Sequence, residues 1–257
     1  MLPSLKKLNP RRPLQRVDPD DTERATKDYC RKLAVNGSRS VVALYANPRL
    51  PQRLLAAGVM QLNALPREMR AIIANFNPFD FFLSPSTTTA DLTDVLERYK
   101  PKVLFWSGHT LEGIMVFESS TGRTAPTEML NARAFQKVLE DAPSLEMVCL
   151  MGCYSNVVVP ALDTPLRSRI SFLAWEGVTE DSAALEFTRG AIAELAKQLS
   201  AGELNPKGVF EAAKESFVKG GFSFGNPRDH PDLPLQLRPH GVAVFSASNA
   251  PDEIVSK

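Results

Sequence analysis

The sequence predicts an α/β protein with a mostly parallel, open sheet and helices on both faces. Three observations predict this class: short apolar runs rich in β-branched and aromatic residues, amphipathic stretches between them, and the alternation of the two along the chain. A near-continuous apolar run suits a strand that is covered on both faces. Strands joined through helices lie parallel with right-handed crossovers. We therefore expect a doubly wound sheet.

Five apolar runs predict the core strands. They are SVVALYA at 40–46, FDFFL at 79–83, KVLFW at 102–106, LEMVCLM at 145–151 and ISFLAW at 170–175. A sixth run, GIMVFE at 113–118, is followed by turn residues and predicts a strand and turn inserted after the third core strand. The run GVAVFSA at 241–247 predicts a last strand that adds to a sheet edge.

The helical stretches between these runs carry apolar stripes. The first stripe is Met69, Ile72, Ile73 and Phe76, and the second is Leu92, Val95, Leu96 and Tyr99 behind a Thr89 N-cap. We expect both helices to pack on the sheet. A last long helix is expected from Thr179 to Leu199, with Gly202 beyond its end as a stop.

The composition divides the chain into three segments. Residues 1–38 are a basic, proline-containing arm, residues 39–225 are one α/β domain, and residues 226–257 are a proline-rich loop followed by a strand that packs on the same domain. Prolines in the arm oppose the amphipathic helix of a transit peptide, and we expect a flexible arm. No run reaches the length of a membrane span, and no signal-peptide core is present. We expect a cytoplasmic protein.

The charge and cysteine counts exclude several functional classes. Lys and Arg number 30 and Asp and Glu number 29, so no overall charge favours nucleic acid or an anionic membrane. Three cysteines are typical of a reducing compartment. No CxxC motif occurs and only three histidines exist, which gives a metal site poor support. No nucleotide-binding GxGxxG or GxxxxGK[ST] motif follows a predicted strand. We expect neither a metal nor a cofactor.

Two reactive side chains follow neighbouring strands of the predicted sheet. The third core strand is followed by Ser107, Gly108 and His109, and the fourth by Gly152 and Cys153. Ligands of open parallel sheets bind at the carboxyl ends of the strands. An imidazole beside a thiol there is the arrangement of a nucleophilic cysteine assisted by histidine. The alternative is that both residues are structural, because free cysteines are mostly buried core residues.

Several blocks of the chain resemble the CHAT family of caspase-like peptidases. These blocks are SVVALYANP at 40–48, REMRAII at 67–73, KPKVLFWSGH at 100–109, GIMVFE at 113–118 and LMGCYS at 150–155. The LMGC run and WEGVTED at 175–181 look more like separase, a close relative. The resemblance covers about 180 residues in the correct order, and this order is its specific part.

The resemblance implies a caspase-like three-layer sandwich and a cysteine endopeptidase acting on protein or peptide substrates. His109 would be the general acid/base, Cys153 the nucleophile, and the backbone N–H groups of Thr110 and Cys153 the oxyanion hole. Relatives usually carry glycine where this chain has Thr110. CHAT domains are commonly attached to sensor repeats that this chain lacks, so a regulatory protein would supply the sensor in trans.

The resemblance to separase also implies a preference for a basic residue before the cleaved bond. Glu176, after Trp175, occupies the place of the separase acid that contacts a substrate arginine, and with Trp175 it would line the substrate pocket. Glu180 and Asp181 remain open as alternatives, either as pocket acids or as charges that stabilise a helix start. The competing reading of the whole chain is a noncatalytic caspase-like interaction or regulatory module.

Overall fold

The computed structural model of the protein describes residues 39–50, 52, 61–111, 113–121, 127–225, 240–248 and 253–255. The predicted arm at 1–38 and the proline-rich stretch at 226–239 lie outside the described residues. The three predicted segments therefore stay predictions.

The five predicted core strands are present in the predicted order, with a helix between most successive strands. The strands of the main sheet are β1 (Val41–Ala46), β2 (Phe81–Ser84), β3 (Val103–Gly108), β7 (Met147–Leu150), β8 (Ser171–Trp175), β9 (Ala243–Ser246) and β10 (Glu253–Val255), and those of a second sheet are β4 (Thr110–Leu111), β5 (Ile114–Glu118) and β6 (Thr127–Leu130). The helices are α1 (Leu65–Asn75), α2 (Thr89–Tyr99), α3 (Ala132–Glu140), α4 (Thr164–Arg169), α5 (Asp181–Ser200) and α6 (Pro206–Lys219).

The main sheet has the strand order β10-β9-β8-β7-β3-β1-β2. The pairs β1–β2, β1–β3, β3–β7 and β7–β8 are parallel, and β9 and β10 add to one edge in antiparallel pairs. The chain order reverses direction across the sheet next to β3, because β1 and β2 lie on one side of it and β7 and β8 on the other. The prediction of an open, mostly parallel sheet is confirmed, as is the edge strand of the run at 241–247.

Both faces of the sheet are covered, because alternate side chains of its central strands are buried on opposite sides. One face packs with α1, α5 and α6 around a core that includes Tyr45, Phe105, Cys149 and Trp175. The other face buries Leu44, Trp106 and Leu150 and their neighbours, where α2 contacts β1 and α4 contacts β8. The predicted arrangement of helices on both faces is confirmed. The chemistry-bearing loops leave this sheet at the carboxyl ends of its parallel strands.

The second sheet replaces the single inserted strand of the prediction with three antiparallel strands. Glu128 of β6 ties this sheet to the start of α2. Its Oε2 accepts from the N–H and hydroxyl of Thr89 at 3.0 and 2.5 Å, and its Oε1 accepts from the N–H and hydroxyl of Ser120 at 2.8 and 2.6 Å. Burial raises the pKa of Glu128, but these four hydrogen bonds together outweigh it and lower the pKa to about 2. We name this group the Glu128 clamp.

Some local predictions were wrong in detail. The N-cap of α2 is Thr88, not Thr89, because Thr88 and Asp91 form a reciprocal capping box. Ile73 was expected on the sheet but is 59% exposed, since the buried side of α1 runs through Leu65, Glu68 and Ile72. The helix expected from Thr179 begins at Asp181, and it is not the last long helix, because α6 (Pro206–Lys219) follows it. No helix in the described ranges combines the length and apolar character needed to cross a bilayer.

Candidate active site

The loops that carry His109 and Cys153 leave adjacent parallel strands. Strands β3 and β7 pair directly, with Trp106 opposite Leu150, and the N–H of Met151 donates to the Trp106 carbonyl at 2.8 Å. His109 and Cys153 each lie three positions beyond that pair. The two candidate residues therefore emerge side by side at the carboxyl edge of the sheet, where open α/β sheets bind ligands.

Gly152 is the point at which the two loops touch. A Cβ added to Gly152 would overlap the hydroxyl of Thr110 and would come within 2.8 Å of the Gly108 carbonyl and 2.9 Å of the Trp106 ring. Only a glycine lets the chain before Cys153 approach the two residues that flank His109 this closely. Gly108 is equally confined, since its Cβ would lie 2.8 Å from the Ala46 carbonyl. Close backbone packing thus fixes the spacing of the two loops.

The Cys153 loop docks on the segment that follows β8. The Cys153 thiol lies 3.9 Å from the Thr179 carbonyl, and the N–H of Tyr154 donates to the Gly177 carbonyl at 2.9 Å. Tyr154 adopts a left-handed conformation with φ of 55°, which non-glycine residues seldom take outside tight turns and functional loops. The turn presents a partly exposed cysteine directly after a fully buried strand.

Ser155 fastens this loop to two strand ends. Its side chain is fully buried, its hydroxyl donates to the Leu150 carbonyl at 2.7 Å, and the same oxygen accepts from the Trp175 N–H at 3.1 Å. One hydroxyl therefore satisfies a backbone acceptor at the end of β7 and a backbone donor at the end of β8. Such paired use of a buried hydroxyl makes the turn rigid.

His109 is partly buried, and its Nε2 is buried with no hydrogen-bond partner among the described residues. Desolvation lowers the pKa of the imidazole, while the charge of Asp181 opposes this effect. The ring is consequently neutral at pH 7 and keeps an acceptor available for a proton. Its backbone carbonyl accepts from the Val116 N–H at 2.9 Å, which anchors the loop to β5.

Asp181 approaches the imidazole from the start of α5. It is the first residue of that helix, where the helix dipole favours a negative charge. Its Oδ2 accepts from the backbone N–H of Ala64 at 2.7 Å, so the carboxylate is held at the junction of α1 and α5. Asp181 acts electrostatically on both His109 and Glu68.

Glu68 is a second acid in this region, and it is almost completely enclosed. Its side chain is 2% exposed, it shares a hydrogen bond with Ser107, and its Oε2 has no partner among the described residues. Burial, with a smaller contribution from the charge of Asp181, raises the pKa of Glu68 to about 8. The hydroxyl of fully buried Tyr45, which pairs with Ser107 across β1 and β3, is also without a partner in the described chain.

The two described cysteines have opposite surroundings. Cys149 lies inside β7 with no exposed surface, and burial raises the pKa of its thiol to about 12. Cys153 is partly exposed beyond the end of the same strand. Thiol reactivity follows thiolate content and access, so Cys149 is inert in the folded chain.

The structure places the three remaining predicted residues, Thr110, Trp175 and Glu176, in different surroundings. Thr110 is buried beside Gly152, with its hydroxyl unpartnered in the described chain. Trp175 is buried in the core against Phe187, at 4.8 Å between ring centroids. The exposed Glu176 lines a separate cavity of about 90 Å³ on the other face of the sheet, together with Asn156 and Val159.

Sequence reasoning missed Glu68, although the sequence contains a signal for it. Glu68 lies four residues before Ile72, on the apolar side of α1, where a charged residue breaks the pattern of the stripe. Tyr45 and Ser107 gave no comparable signal, because aromatic and small polar residues are ordinary at strand ends.

Comparisons with known proteins found a likeness among solved structures. A secreted C11 cysteine protease from Bacteroides thetaiotaomicron, solved in complex with an irreversible peptide inhibitor, aligns with a TM-score of 0.44 and 14% identity over 83% of this chain and 67% of that chain. No family model matches this chain, and no curated protein matches it. Membership of the CHAT family stays a prediction, and the function below is argued from the geometry of the site.

Proposed function

We propose that this protein is a cysteine peptidase in which Cys153 is the nucleophile and His109 the general acid/base. The observation that carries the proposal is the contact of the two loops at Gly152, directly before Cys153 and against both neighbours of His109. A partly exposed thiol next to a neutral imidazole is what nucleophilic attack on an amide carbonyl requires.

The neutral imidazole gives the mechanism its first step. A histidine whose pKa is lowered by desolvation is ready to accept the thiol proton at pH 7. The thiolate then attacks the scissile carbonyl carbon, the carbonyl oxygen becomes an oxyanion, and the imidazolium returns its proton to the leaving amine. Water subsequently hydrolyses the thioester. We assign the backbone N–H groups of Thr110 and Cys153 to the oxyanion.

The proposal extends to cleavage after a basic residue, with Asp181 as the acid that meets the substrate cation. Its support is that the charge of Asp181 opposes the lowering of the His109 pKa, so the carboxylate lies within electrostatic range of the imidazole. Glu176 lines the cavity on the other face of the sheet. A partly buried carboxylate favours guanidinium over other side chains through charge-assisted hydrogen bonds. Protein or peptide substrates and activation by a partner belong to the same proposal.

A peptidyl ketone probe that ends in arginine tests the catalytic assignment. We expect the probe to modify Cys153 in the wild type, to modify nothing in Cys153→Ala, and to react at least about tenfold more slowly with His109→Ala. Cys149→Ala is the matched control, since it removes the inert thiol of the same strand, and its labelling rate should equal that of the wild type. Equal labelling of all cysteines, or labelling indifferent to His109→Ala, would favour a noncatalytic interaction module.

A peptide library tests the specificity. Asp181→Asn should lose the preference for arginine by about 100-fold in kcat/KM, because a charge-assisted contact contributes about 3 kcal/mol. Glu176→Gln removes a charge of the same sign that lies elsewhere, and should keep the preference. The opposite pattern would assign the pocket to Glu176, as the resemblance to separase implies.

A further inference from the structure

The feature that the proposed mechanism leaves unused is the enclosed carboxyl of Glu68. It lies on α1, and three elements supply the groups that interact with it: Tyr45 from β1, Ser107 from β3 and Asp181 from α5. None of these three is a cation. A buried carboxyl without a counter-charge is expensive to ionise, so at neutral pH it holds a proton.

The polar atoms around Glu68 are incompletely satisfied. Within the described chain, the Glu68 Oε2 and the Tyr45 hydroxyl are both buried without a partner, although Tyr45 is close enough to Glu68 for its own ionisation to be opposed by that charge. Native interiors rarely leave such atoms unpaired. The arrangement is that of a site which lacks its positive charge.

The donor set around Glu68 favours an organic cation over a metal ion. No group of three or more His, Cys, Asp or Glu residues that could hold a metal ion occurs in the part of the chain that the structure describes. Asp181, by contrast, is partly exposed, and it is linked to α1 one turn before Glu68. Its Oδ2 accepts from the Ala64 N–H at 2.7 Å, and the Ala64 carbonyl accepts from the Glu68 N–H at 3.1 Å. A guanidinium or ammonium group bound at Asp181 would bring its positive charge toward the buried acid.

We propose that Glu68 is a reserve acid for Asp181: when a cationic side chain binds at Asp181, Glu68 releases its proton to solvent, and the cation is then held by two negative charges. The inference rests on the proposed function in one respect, that the cation is taken to be the substrate residue before the cleaved bond. The step balances as one carboxylic acid becoming one carboxylate and one solvated proton. Glu68 is thus a specificity-determining residue that acts through Asp181.

Proton linkage makes this testable without catalysis. The ligand is N-acetylarginine amide, which carries one permanent charge, and N-acetylcitrulline amide is its neutral counterpart. Calorimetry of the full chain carrying Cys153→Ala, in buffers of different ionisation enthalpy, counts the protons released. From a pKa of about 8 for Glu68 we expect close to one proton per arginine ligand at pH 7, and about five- to tenfold tighter binding per pH unit from pH 6.5 to 8. The imidazole of His109 titrates below this window.

Variants show which residue releases the proton when the ligand binds. With Glu68→Gln, the release and the pH dependence should both disappear, and affinity at pH 8 should fall by about tenfold. Glu128→Gln is the matched control, because it makes the same change in the clamp and should alter neither quantity. Infrared difference spectra of the Cys153→Ala chain give a measurement without any Glu68 variant: ligand binding should abolish one protonated-carboxyl band.

The outcomes separate this inference from the proposed function. Binding without proton release, a pH dependence that survives Glu68→Gln, no loss of the infrared band, or no binding at 10 mM ligand, on the order of the weakest specific affinities, would each overturn the role of Glu68. None of these results touches the labelling of Cys153, which tests the peptidase by itself. Proton-linked binding in a chain whose Cys153 never reacts would support the cation site and contradict the proposed peptidase function.

Discussion

Two glutamates of this protein differ sharply in hydrogen bonding and in pKa. Glu128 in the clamp accepts from four donors and has a pKa of about 2, whereas Glu68 beside the candidate site shares one hydrogen bond with Ser107 and has a pKa of about 8. The clamp fastens α2 to the second sheet with every lone pair used. The site leaves polar atoms without partners and relies on close backbone packing at Gly152. The clamp satisfies its carboxylate within the chain, whereas Glu68 keeps an oxygen available for a further partner.

The largest expected effect follows from disrupting the backbone contact at Gly152 in the candidate site. Gly152→Ala puts a methyl group against the Gly108 carbonyl, which is backbone and cannot yield, so the two loops must separate. We expect peptidase activity and Cys153 labelling to fall by about 100-fold, since a displacement of about 1 Å suffices for such a loss. Rates of labelling with the arginine probe measure it.

A glycine outside the site provides the control. In Gly208→Ala the added methyl would meet only the amide ends of Gln198 and Asn205, at 3.1 and 3.2 Å, and alanine is the better helix former. Labelling should equal that of the wild type, and the free energy of unfolding should change by less than about 1 kcal/mol. If Gly152→Ala behaves like this control, the loop contact does not position the nucleophile.

The second-largest effect is the pH dependence of stability that the buried Glu68 causes. Between pH 4.5 and about 8 the folded chain keeps Glu68 protonated while the unfolded chain ionises it, so the folded state binds more protons and stability falls as pH rises. We expect wild type to lose about 3 to 5 kcal/mol across this range that Glu68→Gln does not lose. Urea unfolding of both chains at pH 5 and pH 8 measures the difference. Parallel pH profiles would contradict the buried, protonated state.

The Glu128 clamp should respond with the opposite sign. Its pKa is lowered in the folded chain, so its stabilisation is present above about pH 4.5 and is lost as pH falls through about 2. Glu128→Gln should destabilise the protein by about 1 kcal/mol at pH 7, a modest value because the carboxylate is largely solvated. Urea unfolding measures it against Glu97→Gln on the exposed side of α2, for which less than about 0.5 kcal/mol is expected. Equal changes in the free energy of unfolding for the two variants would show that the Glu128 clamp does not stabilise the fold.

The smallest effect concerns the imidazole. The charge of Asp181 supports protonation of His109 against desolvation, so Asp181→Asn should lower the pKa of His109 further. NMR titration of the imidazole signals reads the change directly, and Glu176→Gln should leave the titration where it is. A pKa that does not move in Asp181→Asn would mean that the two side chains are screened from each other in solution.

The sequence was sufficient to predict the sheet and the pair of loops. Buried parallel strands have a strong signature, because both faces are apolar, and the residues that follow them lie at one edge whatever the loops do in detail. His109 and Cys153 were therefore chosen as candidates from strand order, and their roles stay predictions. The second sheet was predicted only in part, since two of its strands, Thr110–Leu111 and Thr127–Leu130, are too short for a periodic pattern.

The electrostatic part of the site could not be predicted in this way. The contact of Asp181 with Ala64 joins residues that are 117 positions apart in the chain, and no local pattern indicates which helix start will face which. Glu68 looked like one more charge on an amphipathic helix until the packing of α1 showed that its side chain faces inward. Propensity predicts elements, whereas the pairing of distant polar groups depends on how the elements pack.

The fully buried thiol of Cys149 makes the opening of the central strand measurable. It lies within β7, between β3 and β8, on the same strand that leads to Cys153. A reagent can reach it only when that strand comes away from its neighbours, so the slow phase of thiol modification times the opening of the sheet. The fast phase, at Cys153, reports on the loop. One protein with one reagent therefore records the dynamics of its scaffold and of its site on separate time scales.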